Sequence, residues 1–302
     1  MRRHWFAAVL AMATLAACSS GAAESTAAAQ PATAPLPSAT PAAAPKPVGP
    51  PDFVIAGEFT QGGWVKGTAP AGTVALTLDG AQVPVAGDGS FFIAFDRDSG
   101  QSGLLVARLG DGKQVRRQLA IAPRAWKIEH VNVARRPGGA TEAFMRIRRP
   151  ELAQINAARS LDTGSEGWRQ RFIWPVKGRL SGLFGSQRIY RGEPASYHSG
   201  TDITTGRSGT PFVAPADGVV ILAADHPFTL EGNLLMIDHG MGLNSAFLHC
   251  SEILVKQGDH VRQGQVIGRI GMTGRATGPH LHWGLKWRQA RLDPILFTGP
   301  MN

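Results

Sequence analysis

The histidines constrain this chain most. Seven of the nine lie between His198 and His282, and four of those seven sit in three short segments: His198-Ser199-Gly200-Thr201-Asp202, Phe247-Leu248-His249-Cys250 and Gly278-Pro279-His280-Leu281-His282-Trp283. His280 and His282 are two apart, so in a strand, where side chains alternate, both point to one face. His198 and Asp202 are four apart, a spacing that suits a helix. Gly200, Thr201, Ile203, Thr204 and Thr205 instead favour a loop entering a strand. Two imidazoles and a carboxylate suit zinc, and a catalytic zinc keeps three protein ligands and leaves a fourth position open. Spacing alone leaves open which of His280 and His282 binds the ion and which reaches the open position.

Taken together, the three segments resemble the zinc metallopeptidases of the M23 (LytM or lysostaphin-type) family. His-x-x-x-Asp, an apolar segment ending in histidine and His-x-His stand in the family's order at His198 to Asp202, His249, and His280 to His282. Ile237-Asp238-His239-Gly240, Val255-Lys256-Gln257-Gly258-Asp259, Gly264-Gln265-Val266-Ile267-Gly268 and Thr273-Gly274-Arg275-Ala276-Thr277 are similar to further stretches of it, and the likeness runs over 174–294. The resemblance implies one Zn2+ per chain held by His198, Asp202 and His282. It also implies that His249 and His280 are the catalytic histidines, without deciding which does what. Its substrate class is the peptide part of bacterial peptidoglycan: D,D-crosslinks between stem peptides where there is an outer membrane, a glycine bridge elsewhere.

The other histidines and the lone thiol carry less. His130, His226 and His260 read as surface or hydrogen-bonded residues, His239 as a packing residue at a strand end, and Cys250 as a buried, inert thiol. Segments 214–220 and 255–268 are similar to strands of biotinyl and lipoyl carrier domains. Those carriers need a lysine at a hairpin tip, and no lysine stands between Lys177 and Lys256.

Ahead of this region the chain changes character several times. Residues 1–17 read as an export signal, with Arg2 and Arg3 before an apolar run well short of the ~20 residues a membrane span needs. Leu15-Ala16-Ala17-Cys18 resembles a lipobox, which makes Cys18 the lipidation site and the first mature residue. Residues 18–51 form an Ala/Pro-rich tether with hardly any charge, unable to bury a core. Extended at ~3.1 Å per residue, such a tether reaches roughly 100 Å. Residues 52–123 alternate apolar and polar residues between the turn signals Asp79-Gly80, Asp88-Gly89 and Asp111-Gly112, the pattern of a small antiparallel sandwich. It is similar to immunoglobulin-like accessory domains that precede some M23 peptidases.

Residues 124–171 form an arginine-rich connector in which Pro150-Glu151 opens a short helix carrying Leu152 and Ile155 on one face, ending before Asp162. The formal charge of +9 falls to +7 when Arg2 and Arg3 leave with the signal. No nucleic-acid-binding module accompanies that charge, so the expected partners are anionic wall polymers, lipid headgroups or nothing specific, not nucleic acid. Residues 172–298 should be the peptidase domain, with strands at 213–216, 218–223, 233–238, 244–249, 265–270 and 280–285, and groove walls at 185–197 and 225–232.

The expected protein is therefore mainly β: a small N-terminal β-sandwich plus a C-terminal antiparallel, barrel-sandwich-like peptidase domain. It is exported to the cell envelope, lipid-anchored, and cuts peptide crosslinks of peptidoglycan with zinc. The alternative is a noncatalytic LytM-type regulator that activates a cell-wall amidase. Such regulators commonly lack the metal ligands that are present here.

Overall fold

The computed structural model describes residues 49–133 and 141–301; the signal segment, Cys18 and the tether lie outside them. The chain is mostly β. Seven strands come first: β1 (Val54–Gly57), β2 (Trp64–Thr68), β3 (Thr73–Leu78), β4 (Ala81–Val83), β5 (Ser90–Ala94), β6 (Ser102–Leu109) and β7 (Gln114–Ala120). They form two sheets in the orders β1-β2-β5 and β4-β3-β6-β7. The Asp79-Gly80 turn puts both residues at positive φ (50° and 82°), as the tightest right-twisted hairpins require.

The connector contributes strand β8 (Ile128–Val131) and helix α1 (Glu142–Arg159). The helix begins earlier than its proline suggests, with Pro150 in its interior. Thr141 is the N-cap: its hydroxyl accepts a hydrogen bond from the Phe144 amide, and Glu142 supplies a carboxylate in the first turn. Arg148, Glu151, Ile155 and Ala158 form the buried stripe, while Leu152 is exposed. The expected Leu152/Ile155 face is therefore rotated toward charged residues.

The remaining strands are β9 (Arg179–Gly182), β10 (Gln187–Tyr190), β11 (Glu193–Pro194), β12 (Thr201–Thr204), β13 (Pro211–Val213), β14 (Gly218–Ala223), β15 (Asn233–Asp238), β16 (Leu243–Cys250), β17 (Glu252–Ile253), β18 (His260–Val261), β19 (Val266–Arg269), β20 (Leu281–Trp287) and β21 (Ala290–Leu292), followed by the short helix α2 (Ile295–Thr298). The main sheet runs β18-β14-β15-β16-β20-β12-β9, with β21 on β20, and a small sheet β13-β19-β17 packs beside it. Strand β10 pairs in parallel with β8 and antiparallel with β11, so the connector is stitched into the wall that 185–197 builds.

Alternation along the central strands gives the main sheet two different faces. Leu235, Ile237, Phe247, Leu281, Trp283 and Leu285 point into the larger core. Leu234, Met236, Ala246 and Leu248 point the other way and pack with Ile155 and Ala158 of α1. The larger core continues into the N-terminal strands through an aromatic chain. Trp64 stacks on Phe92, both meet Phe297, and Phe297 meets Phe172.

Candidate metal and catalytic site

One row of paired residues builds the site. Gly182 on β9 pairs with Asp202 on β12, Asp202 with His282 on β20, and His282 with Leu248 on β16, so four strands place these residues side by side on the face that carries α1. The row sets the Asp202 carboxylate against His282. His198 reaches the same point from the loop before β12. Asp202 Oδ1 lies 2.9 Å from His282 Nδ1 and 3.0 Å from His198 Nε2, and the two ring nitrogens are 3.1 Å apart. Residues 198 and 202 do sit on a loop entering a strand.

Glycine makes room for this triangle. A Cβ on Gly182 would lie 2.4 Å from Asp202 Oδ2 and 3.0 Å from His198 Cε1, and one on Gly200 would lie 2.7 Å from His282 Nε2. Neither glycine stands out in the sequence as part of the chemistry, because the need for it arises only when the four strands are side by side.

His249 arrives by an irregularity. Phe247 faces the core and Leu248 the site, so strict alternation would turn His249 back to the core. Instead, the register between β15 and β16 shifts between Asn233 and Leu235, and His249 takes φ +63°, unusual for a residue with a side chain. Its ring then faces the groove, with its centroid 4.9 Å from that of His280. His280 Nε2 lies 3.7 Å from Asp202 Oδ1.

Backbone carbonyls set the tautomers. His198 Nδ1–H donates to Leu183 O (3.1 Å), His249 Nδ1–H to Thr273 O (2.8 Å) and His280 Nδ1–H to Gly278 O (2.9 Å). Each bond leaves Nε2 as the acceptor nitrogen in the neutral ring, aimed into the site. Burial and the neighbouring rings hold His249 and His282 below the usual histidine range. At His198 burial acts in the same direction, but the hydrogen bond and charge of Asp202 outweigh it and raise that ring. Burial works against the Asp202 charge, yet the two imidazoles set against it hold the carboxylate well below its ordinary range.

The triangle fits a metal ion. With Nδ1 of His198 donating elsewhere, its Nε2 and the Asp202 carboxylate are two acceptors 3.0 Å apart, an arrangement that one cation satisfies and a neutral pair does not. Among the described residues, His198, Asp202 and His282 are grouped as a set whose donor atoms can converge on a single ion.

The site opens into a groove of about 900 Å³. Ser186 to Arg188 and Ala195 to Tyr197 line one side, Leu230 and Glu231 the other. Both expected walls are present. The second is anchored by α1: Arg148 is forked onto Glu231 at 2.6 Å on both oxygens and holds Glu151 at 2.9 Å, while Glu151 accepts from Thr229. The Glu231 carbonyl accepts the His249 amide at 2.8 Å, so the buried arginine pair also backs the irregular turn at His249. In sequence Arg148 belongs to a basic run; in the structure it is buried and used internally.

These features define a class. Residues 196–294 match Peptidase family M23. Over 133 residues it is 42% identical to the peptidoglycan DD-endopeptidase ShyA of Vibrio cholerae serotype O1, a match covering 44% of this chain and 30% of that protein. ShyB of the same organism is 43% identical over 98 residues, 32% of this chain and 22% of the relative. The chain thus spans less than a third of the length of these curated relatives. A crystal structure of a chain assigned to peptidase M23 from Pseudomonas aeruginosa aligns over 80% of this chain and 95% of its own, with TM-score 0.60 and 28% identity. That likeness extends beyond 196–294 into the N-terminal strands.

Proposed function

We propose that this protein is a zinc endopeptidase that hydrolyses peptide crosslinks of bacterial peptidoglycan. The observation that carries the reading is the convergence of His198 Nε2, Asp202 Oδ1 and His282 Nδ1, with the acceptor nitrogens of His249 and His280 beside them. His198, Asp202 and His282 would hold the ion. A bound zinc lowers the pKa of a water from 15.7 to about 7 and polarises a scissile carbonyl.

The chain's own residues supply the rest. The Asp202 carboxylate stays ionised across the physiological range and gives the donor set one negative charge. His249 is kept neutral by burial, with Nδ1–H fixed on Thr273 O, so its Nε2 is free to accept a proton. His280 is oriented in the same way by Gly278 O. Within this pair one ring takes the proton of the attacking water, and a protonated ring returns a proton to the leaving amine nitrogen. The groove walls at 185–197 and 225–232 position the peptide.

The names of the ShyA and ShyB relatives support D,D-crosslinks as the bond cut. Export through the signal at 1–17 and lipid anchoring at Cys18 place the enzyme in the cell envelope on the same reading, and both positions lie outside the described residues. Among the described residues no helix is long and apolar enough to cross a membrane.

The test is incubation of protein lacking residues 1–51 with peptidoglycan sacculi. Zinc-dependent release of new amino termini is the expected result. No release, with stimulation of an added amidase, would replace this reading by that of a regulator.

A further inference from the structure

A second cavity of about 230 Å³ opens off the groove on the same sheet face, and Ser199, Glu231, Leu248, His282 and Arg291 line both. Its floor follows the β16–β20 register: Leu248 opposite His282, then Ala246 opposite Gly284, then Asn244 opposite Lys286. The small pair in the middle leaves the lane open, and α1 covers it with Ile155 and Arg159. Four residues of strand separate His282 from Lys286, about 14 Å at ~3.4 Å per residue.

The far end of this lane is cationic and incompletely bonded. Among the described residues, the buried Nε of Arg159, at the last turn of α1, has no hydrogen-bond partner. Asn244 is 4% exposed, and its side-chain Oδ1 also has none among the described residues. The amide can present either its oxygen or its nitrogen, since the two ends are interchangeable by rotation. Among the described residues Lys286 Nζ donates only to the neutral Gln289 Oε1, at 3.2 Å, and Arg291 stands at the mouth. The acids nearby are committed elsewhere: Glu231 is forked by Arg148, and Asp96 accepts from the Arg291 amide and the Tyr197 hydroxyl. Burial and the two neighbouring arginines push Lys286 down to about 8. Cations held this close without a counter-charge recruit an anion.

The geometry points to a carboxylate-recognition subsite for the substrate peptide, formed by Arg159, Asn244 and Lys286. It binds an acidic group carried about 14 Å from the scissile bond, the length of about four extended residues at ~3.4 Å each. The assignment rests on the peptidase reading above and adds substrate selection to it. Arg159 lies outside 196–294, so the connector adds one group to the two, Asn244 and Lys286, that the family-matched stretch supplies.

Binding of a stem tetrapeptide with free carboxylates and of its all-carboxamide counterpart to the zinc-loaded full chain, by calorimetry, tests this. The free acid should bind about tenfold tighter or more, the range of one charged hydrogen bond. Arg159→Gln should erase that preference by weakening the acid alone. Lys286→Gln, on the sheet and independent of the helix, should reduce it in the same direction. Any direct carboxylate contact with the metal is common to all three proteins and cancels. Equal affinities in the unmodified protein, or a preference unchanged in both variants, overturns the subsite. Cleavage of sacculi together with equal affinities leaves the endopeptidase standing without the subsite. A lost preference in the variants without any cleavage leaves the subsite standing without the endopeptidase.

Discussion

The two faces of the main sheet each bury histidine, and they treat it in opposite ways. On the core face, Trp283 Nε1–H donates to Ser245 Oγ (3.2 Å), Ser245 Oγ–H donates to His239 Nε2 (2.8 Å), and His239 Nδ1–H donates to Asp217 O (2.7 Å). Every donor meets an acceptor, the ring is neutral, and burial pulls it down to about 4. On the opposite face His198, Asp202 and His282 bring acceptors together without enough protons to join them. A closed hydrogen-bond chain makes a histidine structural; an excess of converging lone pairs suits it to bind a cation. Burial does not distinguish the two cases.

The largest effect expected on the site face comes from Asp202→Ala. Removing a ligand should weaken metal binding by more than the roughly 100-fold that loss of an outer partner costs, abolishing both metal content and peptide release. Full activity in that variant would overturn the donor assignment. His249→Ala should keep the metal and lower kcat by about 10²–10⁴, as loss of a general acid–base group does. Metal analysis beside steady-state rates separates these two outcomes.

The core face responds to pH instead. Above the ordinary histidine value of 6.5, His239 is neutral in the folded and unfolded chains and costs nothing. Between 6.5 and about 4 only the unfolded chain takes up the proton, so stability falls as pH falls and levels off below 4. The loss is on the order of 3 kcal/mol, and His239→Gln should flatten that part of the pH–stability curve without changing metal content at neutral pH. Gly182→Ala sharpens the comparison from the other side. Its methyl group pushes on Asp202 and His198, so metal affinity should drop by about 10- to 100-fold, as for other supporting positions, with the fold retained.

Much of this was legible in the sequence, for identifiable reasons. Strands at 218–223 and 233–238 coincide with β14 and β15, because continuous apolar runs ended by Gly218 at one end and Asp238-His239-Gly240 at the other leave little freedom. Cys250 is buried, with its thiol pushed up to about 12 by burial, in line with an inert residue. The His-x-His pair also points into the site as alternation predicts.

What escaped depends on contacts between distant segments. His249 faces the groove only through a register shift and a left-handed backbone, and an apolar strand ending in histidine gives no sign of either. Pro150 reads as a helix start, yet Thr141 caps the helix nine residues earlier and the proline is tolerated inside. Arg148 looks like one charge in a basic run until Glu151 and Glu231 meet it.

The central claim is that three side chains from separate strands and a loop hold one zinc ion. Anomalous diffraction at the zinc edge, from crystals of protein purified without added chelator, tests it most directly. The account predicts one peak at ~2.0–2.2 Å from His198 Nε2, His282 Nδ1 and an Asp202 oxygen. Crystals of zinc-loaded protein with no peak at that point, or with the ion bound elsewhere, would contradict it.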